Sequence, residues 1–175
     1  LFPAQANGDE VIFYESESRD KELGRFDFDL CIGKGRKDKF SIGQYFHSVE
    51  SGQIDAIGLQ ITTAGAGVEE GIKSLKEQNE SESSLYLQGL SDRVAEDMAE
   101  YIHQLLRTRA GYKKENRGQR YSPGYPALTN LKGNHIIWNA LGAEDLGVTL
   151  TVANEFFPPS TTAAVICFHK DAGYN

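Results

Sequence analysis

Between Ser83 and Arg109, apolar side chains recur at helical spacing: Leu87, Leu90, Val94, Met98, Tyr101, Ile102 and Leu105. This period predicts one long amphipathic helix with its apolar stripe turned to the core. Arg107 and Arg109 fall in its last turn and Gly111 follows, which suits a helix C-terminus. At roughly 100° per residue, Asp92, Glu96, Ala99 and His103 form a second stripe roughly opposite the first. Ala95 and Ala99 keep that stripe low. Two readings stand for it: a solvated charged face, or a face against which a ligand or partner lies.

The other periodic segments are shorter. Val11-Ile12-Phe13-Tyr14, after the turn Asn7-Gly8-Asp9, is β-branched and aromatic enough for a strand. Phe26-Asp27-Phe28-Asp29-Leu30 alternates with period two and predicts a half-buried strand. Ile54 to Thr62 reads as a buried strand running into Ala64-Gly65-Ala66-Gly67, and Val68 to Leu75 reads as a helix behind it. That outline suggests a dinucleotide loop, but the position three after Gly67 is Glu70 rather than a small residue. Two glutamates there would also oppose a pyrophosphate. Glu69 and Glu70 instead complement the helix dipole. Gly33 to Lys39 is a charged turn. Ile136 to Leu141 predicts a short helix closed near Gly142, and Val148 to Val152 and Ala163 to Phe168 predict an antiparallel pair of strands. Strands cluster at both ends with helices between them, so the expected class is α+β, a twisted antiparallel sheet with helices.

With 175 residues, one domain with its own core is expected. Lys+Arg of 18 against Asp+Glu of 25 gives a net charge of -7, which opposes nucleic-acid binding. No apolar run approaches the length of a membrane span. Cys31 and Cys167 lie far apart without partners at metal-ligand spacing, so a disulfide scaffold or zinc site is not expected and a reducing, cytoplasmic setting is. The start at Leu1 rather than Met suggests a processed or excised piece. His47, His103, His135 and His169 accompany no nucleophile signature, and no catalytic constellation is expected. His169, just past the last strand, is the one histidine worth following.

The remaining chemistry is concentrated in Arg117-Gly-Gln-Arg-Tyr-Ser-Pro-Gly-Tyr-Pro-Ala127, where two φ-locking prolines flank a glycine beside two arginines. This is either a rigid corner or a loop shaped to present Arg120 to a ligand.

Arg120-Tyr-Ser-Pro-Gly-Tyr-Pro resembles the Arg-x-x-x-Gly-Tyr signature of the activation domain of cobalamin-dependent methionine synthase. Leu1-Phe2-Pro3-Ala4, Ser51 to Gly65, Asp92-Arg93-Val94-Ala95-Glu96 through His103, and Leu150-Thr151 with Pro158, His169 and Tyr174 are similar to further segments of that family, in family order. The resemblance implies a single domain over 1–175, shortened at both ends relative to the family, that binds S-adenosylmethionine. It would position this ligand for reductive remethylation of cobalamin carried by another domain, with a flavodoxin-like reductant supplying the electron. The implied ligand contacts are Arg120, clamping the ligand's carboxylate, with Ser122, Gly124, Tyr125, Tyr174, Asn175 and Glu96. Asp92 and Glu70 would meet the cobalamin-binding domain. The chain alone would not be catalytic; its contribution would be positioning. Departures include Thr161-Thr162-Ala163-Ala164 at the family's Ser-Val-Ser-Gly turn, and Tyr121, which sets a bulky ring beside the pocket. The family's acidic ligand for the amino group lies upstream of Leu1. These departures support a second reading, an interaction or assembly domain of the same fold that has lost the ligand.

Overall fold

The computed structural model describes residues 1–32, 38–112 and 118–172. Its strands are β1 (Phe2–Asn7), β2 (Glu10–Tyr14), β3 (Glu22–Asp27), β4 (Cys31–Ile32), β5 (Lys39–Phe40), β6 (Asp55–Thr63), β7 (Gln119–Tyr121), β8 (Thr149–Leu150), β9 (Phe156–Phe157) and β10 (Thr161–Cys167). The helices are α1 (Ala66–Glu77), α2 (Ser81–Arg109) and α3 (Lys132–Leu141). Six strands form the main sheet in the order β3-β2-β1-β6-β10-β7, with every neighbour antiparallel. The expected α+β class therefore holds.

Side-chain alternation along β6 separates the two faces of this sheet. Ile57, Leu59 and Ile61 join the core cluster on one face, with Ile137 of α3 and the ring series Phe13, Phe26 and Phe28. Gln60 and Thr62 point to the other face and bond to main-chain carbonyls of α2. Gln60 Nε2 donates to Ala99 O at 3.2 Å, and Thr62 Oγ1 donates to Ala95 O at 2.9 Å.

This polar seam reverses the expected orientation of the long helix. Ser84, Ser91, Ala95, Ala99 and His103 are buried, whereas Leu90 is 62% exposed and Tyr101 57%, with Val94, Met98 and Leu105 also open. Small side chains let the α2 backbone approach the sheet closely enough for hydrogen bonds from Gln60 and Thr62. A row of leucines would hold it away. The apolar stripe consequently lies outside the sheet contact.

Smaller differences have local causes. Phe26 and Phe28 are buried on either side of an exposed Asp27, as the alternation predicts, but β3 ends at Asp27. Beyond it the chain leaves the sheet because the Asp29 carboxylate accepts hydrogen bonds from Thr129 N and Oγ1, both at 2.7 Å. Those bonds hold the Asp29 pKa below its ordinary value. Only Thr149–Leu150 of the expected Val148–Val152 strand is paired, and its partner is β9. β10 instead pairs with β6 and with β7. β7 falls inside the stretch read as a pure loop. The Gly33 to Lys39 turn lies largely outside the described residues.

Candidate functional site

β7 is a three-residue edge strand, and its alternation decides what the site contains. Tyr121 turns to the core, 1% exposed and edge-on to Phe28 at 6.4 Å between ring centroids. It therefore faces away from the cleft, contrary to the expectation that its ring alters the pocket. Arg120, paired with Ile166 of β10, turns to the α2 side. Gly118 fixes where the strand begins, since at φ 85° an added Cβ would lie 2.6 Å from Cys167 O.

Across from Arg120, α2 presents two carboxylates one turn apart. Arg120 Nη2 is 3.7 Å from Glu96 Oε2, and Arg120 Nε is 3.7 Å from Glu100 Oε2. Glu100 also lies 3.7 Å from His103 Nδ1 and 3.9 Å from Arg107 Nη2. These are ion-pair distances, longer than hydrogen bonds. The guanidinium is thus charge-compensated without its donors being spent on the two carboxylates. Its planar fork can donate two parallel hydrogen bonds to a carboxylate.

His103 is 4% exposed, and its Nε2 has no hydrogen-bond partner among the described residues. Burial depresses its pKa, with Arg107 and Arg120 pushing the same way and Glu100 opposing them. The ring beneath the site is accordingly held neutral at neutral pH.

A cleft of about 300 Å³ opens here, lined by Glu96, Gln119, Arg120, Ser122 and Tyr125. Four of the sequence-predicted residues thus meet at one place. Gly124 shapes the turn beside it. At φ 90° it donates its amide to Leu128 O at 2.8 Å, while Tyr125 N donates to Ser122 O at 3.3 Å. These two amides are spent inside the loop, leaving the Ser122 and Tyr125 side chains to face the cleft.

The remaining predicted residues are placed elsewhere. Asp92 accepts from Ser160 Oγ at 2.7 Å and from Gln88 Nε2 at 2.9 Å, which ties α2 to the turn before β10. Glu70 is exposed on α1 and is not part of the cleft wall. Tyr174 and Asn175 lie outside the described residues. His169 stacks on Tyr45 at 4.7 Å and accepts from Asp171 N at 3.2 Å. Gln119 and Glu100 were not anticipated. The spacing Glu96, Glu100, His103, Arg107 on one helical face was the available signal for Glu100.

No group of His, Cys, Asp and Glu among the described residues is arranged to hold a metal ion. No helix there is long and apolar enough to cross a membrane.

An antiparallel sheet backed by one long helix, with an edge-strand arginine ion-paired to helix carboxylates beside an open cleft, defines an α+β domain. The chain belongs to the family described as the activation domain of vitamin B12 dependent methionine synthase, whose model matches residues 1–175. Over 202 residues it is 24% identical to methionine synthase of Mycobacterium tuberculosis (strain ATCC 25618 / H37Rv), taking in 99% of this chain but 16% of that protein. Its fold matches a crystal structure of the MetH reactivation domain bound to AdoHcy with a TM-score of 0.87, at 24% identity, over 99% of this chain and 58% of that one.

Proposed function

We propose that this chain binds S-adenosylmethionine in the Arg120 cleft and presents its methyl group to cobalamin held by another domain of a methionine synthase. The observation that carries the reading is the placement of Arg120 opposite Glu96 and Glu100 at a cleft of about 300 Å³, the low end of the usual small-molecule range. S-adenosylmethionine carries a carboxylate, an ammonium and a sulfonium, so it needs one cationic and at least one anionic partner. Arg120 supplies the first, and Glu96 on the cleft wall supplies the second. The AdoHcy bound in the related crystal structure is the demethylated form of the same molecule.

In this reading the residues of the cleft bind and orient the ligand. Holding the sulfonium methyl in line with its acceptor converts an encounter into a near-unimolecular step. Cobalamin supplies the acceptor when its domain docks, and a flavodoxin-like reductant supplies the electron that makes the acceptor nucleophilic. Asp92 and Glu70, both exposed on α2 and α1, are proposed contacts for the docking domain, and Tyr174 and Asn175 further contacts for the ligand.

Calorimetry with S-adenosylmethionine on the chain and on Arg120→Glu tests the reading. Saturable binding is expected, weakened by the reversal by at least about 30-fold, the equivalent of ~2 kcal/mol for a buried charge partner. Binding that survives the reversal would remove Arg120 from its role. A folded chain that binds nothing would favour the interaction-domain reading instead.

A further inference from the structure

Arg120 faces two carboxylates, and their surroundings differ. Glu96 and Glu100 stand one turn apart on α2, about 6 Å along its axis, and the guanidinium lies across that interval with Nη2 toward Glu96 and Nε toward Glu100. Glu96 lines the cleft and has Arg120 as its single ion-pair partner among the described residues. It can turn to a ligand's ammonium by giving up that one contact. Glu100 does not line the cleft and is held from three sides. Its Oε2 lies 3.7 Å from both Arg120 Nε and His103 Nδ1, and its Oε1 lies 3.9 Å from Arg107 Nη2. The side chains of His103 and Arg107 are themselves mostly buried, so they are firm anchors. The His103 ring, kept neutral by burial, has one proton to place. Nε2 has no partner among the described residues to hold it there, so Nδ1, facing the carboxylate, takes it.

We propose that Glu100 is a positioning residue for the cleft: fixed by Arg107 and by an Nδ1-protonated His103, it holds the Nε edge of Arg120 and so aims the Nη groups at the ligand's carboxylate. The inference rests on the reading of Arg120 as the carboxylate clamp. It gives the two carboxylates separate tasks. When the ligand's ammonium draws Glu96 away, Arg120 loses one of its two counter-charges in a partly buried site, where an uncompensated guanidinium is costly. Glu100, tied to its anchors, stays behind and keeps Arg120 compensated and in place. With Glu96 alone, the ligand's ammonium and Arg120 would compete for a single carboxylate.

Side-chain nitrogen resonances of the 175-residue chain and calorimetry with AdoHcy test it. The Arg120 Nε–H signal, assigned by its loss in Arg120→Lys, should move on Glu100→Gln and stay in place on Glu96→Gln, because Glu96 faces Nη2 instead. Glu100→Gln keeps the shape of a half-exposed side chain and so spares the fold, and AdoHcy should bind it about 10-fold or more weakly. In the unmutated chain, the imidazole nitrogen shifts should place the His103 proton on Nδ1. An Nε–H signal that ignores Glu100→Gln would overturn the proposal, as would a His103 proton on Nε2. Unchanged or tighter AdoHcy binding by Glu100→Gln would overturn it too, since tighter binding would make Glu100 a competitor for Arg120 rather than its support. If the unmutated chain binds no AdoHcy, the ligand reading fails by itself, and the two nitrogen signals still decide what holds Arg120.

Discussion

Arg120 and Tyr121 are adjacent, yet one belongs to the cleft and the other to the core, because a strand alternates its side chains. This accounts for the tolerance of a bulky tyrosine beside the site. Tyr121→Ala should therefore unfold the chain more readily by about 3–5 kcal/mol, read from denaturant midpoints, since it empties a large fully buried volume. The buried thiol of Cys167, its pKa pushed up to about 12 by burial, should resist thiol reagents in the native chain. Partly exposed Cys31 is expected to react first, so labelling should count one fast thiol folded and two unfolded. His103 makes a pH prediction. Its folded pKa lies below the ordinary 6.5, so the unfolded chain takes up the proton first as pH falls. The stability that His103 contributes should be intact above about 6.5 and decline below it until the folded ring itself titrates. Urea midpoints between pH 8 and 5 should show that slope for the wild type and a shallower one for His103→Gln.

At the scale of the element, α2 decides both fold and site. Substituting Ala99→Leu should cost about 1–3 kcal/mol by overpacking the seam with β6, whereas Leu90→Ala, on the open face, should fall within about 0.5 kcal/mol. Thermal unfolding of the two variants makes the comparison directly. The existence and length of α2 were legible from its period, as were the inner strand β6, the helix α3 and the alternation of Phe26 and Phe28. Which face of α2 packs was not. Hydrophobic periodicity assumes that apolar residues face inward, and here a hydrogen-bonded seam of Ser and Ala against Gln60 and Thr62 takes that place. β7 and β9 were invisible for another reason: two or three residues carry no period, and both are strands only through pairing with β10 or β8. Of the cleft, Arg120, Ser122, Tyr125 and Glu96 were legible through family resemblance. Glu100 and Gln119 required the register of β7 against α2.

The whole molecule is a scaffold in which one sheet holds a core on one face and, on the other, a long helix facing an arginine at the sheet edge. The net charge of -7 favours the approach of a ligand that is cationic overall, such as S-adenosylmethionine, and its association should slow as salt rises. The chain spans 16% of the methionine synthase it resembles. What this chain contributes is a cleft with fixed charges. The most direct test is a ¹⁵N nuclear magnetic resonance titration with AdoHcy. Shift changes confined to Gln119–Tyr125 and to the α2 turn carrying Glu96 and Glu100 are predicted. Changes centred instead on the stacked rings of Tyr45 and His169, or none at saturating ligand, would contradict the account.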